Sequence, residues 1–138
     1  MKDLSEYRTL NKAHLYREFK EKYHYPKMQI TSYRRVLYGE STYLGGKGCS
    51  PYIADMFKFF SDKLNKPFIN VAYDLLDSEF FGRKNTLLDV LVAEKNIPEE
   101  KISEILGEKG EALNNIRLCD LNNDNIKIYE KVASTMEV

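Results

Sequence analysis

Ile30-Thr31-Ser32-Tyr33-Arg34-Arg35-Val36-Leu37-Tyr38-Gly39 is the stretch on which the fold turns. Tyr33, Val36 and Leu37 stand at i, i+3 and i+4, the spacing of one face of a helix. Gly39 follows where a left-handed residue closes a helix, since it has no Cβ to clash there. Taken from Met28 to residue 44, the same region allows a second reading. It is rich in tyrosine and β-branched residues, and Gly39-Glu40 suits a hairpin turn. The helical period fits Tyr33, Val36 and Leu37 better than alternation does, so a helix is the expectation and a hairpin over 28–44 the alternative.

Working outward, the helical period continues almost everywhere. Residues 11–23 carry Leu15, Phe19 and Tyr23 along one stripe, with Lys12, Arg17, Lys20 and Lys22 toward water, and Pro26 interrupts them. Residues 40–49 hold Gly45, Gly46 and Gly48 and read as a loop. Ser50-Pro51 supplies an N-cap and a first-turn proline for a helix with Ile53, Met56, Phe57, Phe60 and Leu64 inside. Asn65-Lys66-Pro67 stops it, and Phe68 to Leu76 forms a short helix. Residues 77–85 read as a boundary. Beyond them Thr86 caps a helix with Leu87, Leu88, Leu91 and Val92 inward. Pro98-Glu99-Glu100 opens another, with two carboxylates at its positive dipole end, Ile102, Ile105 and Leu106 as its core side, and Gly107 at its end. Leu113, Ile116 and Leu118 turn inward next. After Asn122-Asn123-Asp124-Asn125, a last helix buries Ile126, Ile128 and Val132. The expected fold class is all-α, with a domain over 1–77 and an acidic helical domain over 78–138 for dimerisation or protein binding.

Charge separates the same two parts. The 138 residues hold 21 Lys/Arg and 21 Asp/Glu, so the total is zero. Residues 1–70 nevertheless hold 13 basic against 7 acidic residues, and 71–138 hold 8 against 14. Eight of the ten tyrosines lie in the basic part. Phosphates respond to the local field within a Debye length of about 10 Å, so zero net charge does not exclude a polyanion partner. A basic, tyrosine-rich half favours nucleic acid.

Residues 30–41 resemble the recognition helix and following turn of Xre/Cro-type helix-turn-helix regulators of phages or mobile elements. They share a small polar start, an inward aromatic, basic residues, an inward aliphatic and then a glycine. The likeness extends over roughly residues 11–76, with the helix from Pro51 and its stop at Asn65-Lys66-Pro67. Two features depart from the pattern: a long segment between the motif's first two helices, and the glycine-rich loop 40–49. The second half, from Leu87, follows a similar helix order and reads as a degenerate repeat whose Glu108 and Glu111 would repel phosphate. The resemblance implies a sequence-specific, DNA-binding transcriptional regulator that acts as a dimer on an operator. In the hairpin alternative, residues 28–44 form the wing of a winged helix.

The residues themselves give a physical case for DNA. Gln29, Thr31, Ser32, Arg34 and Arg35 would face outward from the helix, and arginine suits guanine O6 and N7 in the major groove. Lys27, Tyr38, Tyr43 and Lys47 would flank them on phosphates. One small module lacks the area for specific operator binding, so a homodimer is expected. The rival is a protein-binding inhibitor on the same scaffold, of anti-CRISPR or antirepressor type, working through the acidic half.

Other chemistries lack their residues. Gly45-Gly46-Lys47-Gly48 fails as a phosphate loop, because Ser41 stands where its first glycine belongs and Gly48 where the magnesium ligand belongs. His14, His24, Cys49 and Cys119 fit no metal spacing. We find no nucleophile, base and orienting group in sequence, so no enzyme, cofactor or metal is expected. No run of apolar residues approaches a membrane span, and Met-Lys-Asp-Leu-Ser-Glu lacks a secretion segment, so the expected place is the cytoplasm.

Overall fold

The computed structural model describes residues 4–40, 51–76 and 85–136. Its helices are α1 Ser5–Arg8, α2 Ala13–Tyr23, α3 Ile30–Leu37, α4 Pro51–Leu64, α5 Phe68–Leu75, α6 Leu87–Lys95, α7 Glu99–Leu106, α8 Glu108–Asn114 and α9 Asn123–Thr135. A 3-10 turn covers Leu118–Asp120. Among the described residues no β-strand forms, and an isolated antiparallel bridge joins Thr86 to Arg117, so the fold is all-α.

Residues 30–37 are helical, which removes the hairpin from the described part of 28–44. Tyr33, Val36 and Leu37 are buried as the period requires. The end of α3 is a Schellman motif. Gly39 N–H donates to the Val36 carbonyl and Glu40 N–H to the Arg35 carbonyl, at 3.1 and 3.2 Å. Gly39 takes φ +73°, and a Cβ there would stand 3.0 Å from Leu4 Cδ1. Residues 41–50, with Tyr43, Lys47, Cys49 and the expected cap Ser50, lie outside the described residues, as does most of the boundary at 77–85.

The core is built on α4. Met56, Phe57, Phe59 and Phe60 are buried there. Phe59 meets Phe19 of α2 edge-on at 5.5 Å between ring centroids, Phe60 meets Tyr33 of α3 at 5.7 Å, and Phe57 meets Phe68 of α5 at 6.2 Å. One helix thus fixes three others through aromatic edges, an arrangement the ring quadrupoles favour. Five of the nine α6 residues (Leu87, Leu88, Val90, Leu91 and Ala93) are buried too, because α4, α5, α7 and α8 all pack on it. The buried side chains of both halves form one hydrophobic cluster.

Local signals explain the ends. Thr86 accepts from Asp89 N–H while Asp89 accepts from Thr86 N–H, a complete capping box at α6. Asn122 accepts from Asn125 N–H at 2.9 Å and caps α9.

Two inward assignments are corrected. Ile105 is 61 % exposed and Ile128 43 % exposed. In α7 the inner line is Ile102 with half-buried Leu106, one turn apart, and Ile105 lies about 100° around the helix from Leu106. In α9 the line is Tyr129, Val132 and Ala133, which leaves Ile128 on the flank. Tyr129 anchors α9 with its ring in the core and its hydroxyl donating to Glu94 at 3.0 Å.

Candidate nucleic-acid interface

The outward side of α3 is a single stripe. Thr31, Arg34, Arg35 and Tyr38 are exposed at i, i+3, i+4 and i+7, opposite Tyr33, Val36 and Leu37. Both arginines therefore face solvent, about 100° apart around the helix axis. Their neighbours differ. Arg34 Nε donates to Asn11 Oδ1 at 3.2 Å, and Asn11 Nδ2 donates to the Tyr38 hydroxyl at 3.2 Å. Asn11 thus orients Arg34 and Tyr38 together and leaves the two terminal nitrogens of Arg34 available as a fork. Arg35 Nε stands 3.7 Å from Glu40 Oε2, an exposed pair of small energetic weight that a phosphate or base can displace.

Gln29 occupies the N-cap of α3 without capping it through its side chain, and no acid lies in the first turn. Ser32 and Tyr33 N–H donate to the Gln29 carbonyl, which leaves the N–H groups of Ile30 and Thr31 for an external acceptor such as a phosphate. Gln29, Ser32 and Lys27 line a cleft of about 450 Å³ with His24, Tyr25, Pro26, Met28 and Tyr52. A second cleft of about 470 Å³ shares His24 and Pro26 and adds Arg17, Lys20 and Glu21. His24 joins the two because it closes α2 in a left-handed conformation, φ 63°. The Tyr25 hydroxyl donates to Asp55 at 2.5 Å and the Tyr16 hydroxyl to the Met28 carbonyl, which fixes the turn between α2 and α3. Burial first, then the hydrogen bond and charge of Asp55, push the Tyr25 phenol well above its ordinary range.

Ion pairing decides which cations remain. Lys22 pairs with Asp62 at 3.8 Å, Lys63 with Glu18 at 2.6 Å, and Lys66 with both Glu6 and Asp74 at 3.0 and 2.9 Å. Lys12, Arg17, Lys20, Lys27 and Arg34 enter no ion pair among the described residues, nor do Arg8 of α1 and Lys58 of α4; the first five lie at the approach to α2, on α2, in its turn and on α3. Lys20 Nζ lies 4.6 Å above the Tyr16 ring, which holds its charge near the second cleft.

Of the residues singled out from sequence, Lys27, Gln29 and Ser32 come together at one cleft, and Thr31, Arg34, Arg35 and Tyr38 along one stripe. Tyr43 and Lys47 lie outside the described residues. Sequence reasoning missed Asn11, and it placed Arg17 and Lys20 only as solvated surface. The faint signal was their i, i+3 spacing on the outer side of α2. The tyrosines need redistribution as well. Tyr7 and Tyr33 are wholly buried, and the hydroxyls of Tyr7, Tyr16, Tyr25 and Tyr33 all donate inward. Most of the tyrosine enrichment therefore serves packing rather than a partner.

The described residues hold no group of three or more His, Cys, Asp or Glu side chains placed to bind a metal, and no helix among them is long and apolar enough to cross a membrane. No family model matches the chain, and neither a curated protein nor a solved structure matches it.

Proposed function

We propose that the chain is a DNA-binding transcriptional regulator of the Xre/Cro helix-turn-helix kind, acting in the cytoplasm as a homodimer on an operator, with a phage or mobile-element origin. The observation that carries this reading is the α3 stripe Thr31-Arg34-Arg35-Tyr38, flanked by the unpaired cations of α2 and its turn. Arg34, steadied by Asn11, presents its fork to a base edge. Lys27, Gln29 and Ser32 at the start of α3 take phosphate, and Arg17, Lys20 and Lys12 extend the contact along the backbone. Lys47, in the 41–50 segment, is assigned to the same backbone contact. Occupancy is the mechanism: the bound dimer hinders or recruits polymerase. The six residues between α2 and α3 are more than the three or four of a usual helix-turn-helix, so the docking angle belongs to this chain.

Selection of duplexes from a random pool by the purified protein tests the reading. Enriched sequences are expected, bound with steep salt dependence. With about five phosphate contacts per protomer, affinity falls roughly 500-fold per protomer between about 50 and about 200 mM salt. Arg34→Ala costs roughly 1–3 kcal/mol at the selected site and flattens preference there, whereas Lys27→Ala weakens all duplexes alike. A protein that enriches nothing and binds no duplex at low salt removes the proposal.

One observation favours a second reading. The acidic half exposes Glu99, Glu100, Glu104, Glu108 and Glu111 with Ile105 among them. Such a surface suits a protein partner, as in an inhibitor of anti-CRISPR or antirepressor type. Co-purification of a stoichiometric protein, together with failure to bind duplex, is the outcome that favours it.

A further inference from the structure

The acidic half carries an apolar knob and an apolar cleft with opposite charges at their edges. Ile128 and Val132 of α9 line a cleft of about 270 Å³, and Lys109 of α8 and Lys131 of α9 complete its lining. Neither lysine enters an ion pair among the described residues. Ile105 stands 61 % exposed near the end of α7. Along the chain it is flanked by the exposed carboxylates Glu104 and Glu108, with Lys101 one turn behind it. Exposed apolar groups rimmed by charge mark interaction surfaces rather than idle surface.

Lys109 follows Ile105 by four residues, so their Cα atoms are at most about 14 Å apart. Knob and cleft are therefore neighbours, and a two-fold axis between them brings each onto its counterpart in a second molecule. We infer that this face joins two copies of the chain, with Ile105 of each entering the Ile128–Val132 cleft of the other. Glu104 and Glu108 then meet Lys109 and Lys131 twice, once at each reciprocal contact. The cleft exceeds the volume of an isoleucine side chain, and burying Ile105 with Ile128 removes both exposed aliphatic groups from water. The inference rests on the dimer in the proposed function and not on DNA, because the face belongs to α7, α8 and α9.

Reciprocal charge reversal tests it on the full chain without DNA, by sedimentation equilibrium near physiological salt. One variant carries Glu104→Lys and Glu108→Lys; the other carries Lys109→Glu and Lys131→Glu. Alone, each sets like charges against each other at both contacts, and its dimer dissociation constant rises by about 100-fold or more. Mixed in equal amounts, the two restore both contacts as opposite charges, so a heterodimer close to wild-type affinity is expected. Ile105→Glu is expected to give a monomer with an unchanged far-ultraviolet helix signal. The inference is overturned by a wild-type chain that stays monomeric up to about 1 mM. It is also overturned by variants that dimerise as wild type does, by a mixture that stays monomeric, or by open chains larger than a dimer. Duplex binding is read separately. A dimer that binds no duplex removes the regulator and keeps this face, and a duplex-binding monomer does the reverse.

Discussion

Alkali separates the tyrosines that belong to the fold from those that do not. Tyr7 and Tyr33 are wholly buried and Tyr129 is 2 % exposed. In each, burial is the first cause pushing the phenol above its ordinary value near 10. The hydrogen bond and charge of Asp74 add to it at Tyr7, the charge of Glu18 at Tyr33, and the charge and hydrogen bond of Glu94 at Tyr129. The folded chain thus holds these protons where the unfolded chain releases them. Their stabilisation is fully present below pH 10 and is lost as pH rises above it. A proton held by one state only is worth about 1.4 kcal/mol per pH unit, so three such groups give a slope of about 4 kcal/mol per unit. Against a domain stability of about 5–15 kcal/mol, that slope brings unfolding between roughly pH 11 and pH 14. Lys66 moves it toward the lower end. Burial opposes the Lys66 charge, but hydrogen bonds and attraction from Asp74 and Glu6 outweigh this and raise its pKa, so its contribution also disappears in alkali.

The assay is direct because the chain has ten tyrosines and no tryptophan. Tyrosinate absorbance and far-ultraviolet circular dichroism are followed through the same titration. At least three tyrosines are expected to ionise only as the helix signal collapses, in one cooperative step. Tyr33→Phe keeps the ring against Phe60 and removes the hydroxyl that donates to the Leu10 carbonyl at 2.7 Å. Its stability is expected to fall less steeply above pH 10, by about 1.4 kcal/mol per unit. Ionisation of all ten tyrosines with the helix signal intact refutes the burial argument.

Asn11→Ala is expected to weaken operator binding without altering the fold, and a double-mutant cycle with Arg34→Ala is expected to give a coupling of about 0.5–3 kcal/mol. Additive losses in duplex affinity mean that Asn11 does not position Arg34. Thr86→Ala removes one arm of the capping box and is expected to cost about 1 kcal/mol in denaturant unfolding while leaving duplex affinity unchanged. An unaltered midpoint shows that the cap is idle.

The helices that could be read from sequence are those whose cause is local. Tyr33, Val36 and Leu37 with Gly39 give α3 and its end, and Thr86 and Pro98 open α6 and α7 with chemistry contained within four residues. Helix α1 has no such cause. It is four residues long, and Tyr7 is held by Asp74, 67 positions away, with Lys66 bridging Asp74 to Glu6. Nothing near Tyr7 announces those partners. Ile105 and Ile128 fail for a different reason. A short helix with apolar residues on adjacent positions has two equivalent inner faces, and only its neighbours choose between them. The site divides in the same way. Period alone turns Arg34 and Arg35 outward, whereas the hold of Asn11 on Arg34 spans 23 positions and depends on how α3 packs beside the start of α2.

The charge asymmetry of the sequence becomes a pair of surfaces through ion pairing. Glu6, Glu18, Glu40 and Asp62 of the basic half, with Asp74 from just beyond it, are spent on Lys66, Lys63, Arg35 and Lys22. Of the cations that remain among the described residues of this half, Arg8 and Lys58 stand apart on α1 and α4, and Lys12, Arg17, Lys20, Lys27 and Arg34 follow one another from the approach to α2 through its turn to α3. In the acidic half, Arg117 with Asp120 neutralises one carboxylate, and the surplus gathers on α7 and α8. Two such surfaces on one chain attract each other between molecules, and a basic-to-acidic contact would cover the face proposed to bind DNA. That attraction is long-ranged and decays within about 10 Å at 0.1 M salt. An apolar contact through Ile105 and Ile128 does not decay in that way. In the proposed dimer, contact through the exposed isoleucines would compete with that basic-to-acidic pairing at any salt, which a surface of charge alone would not do.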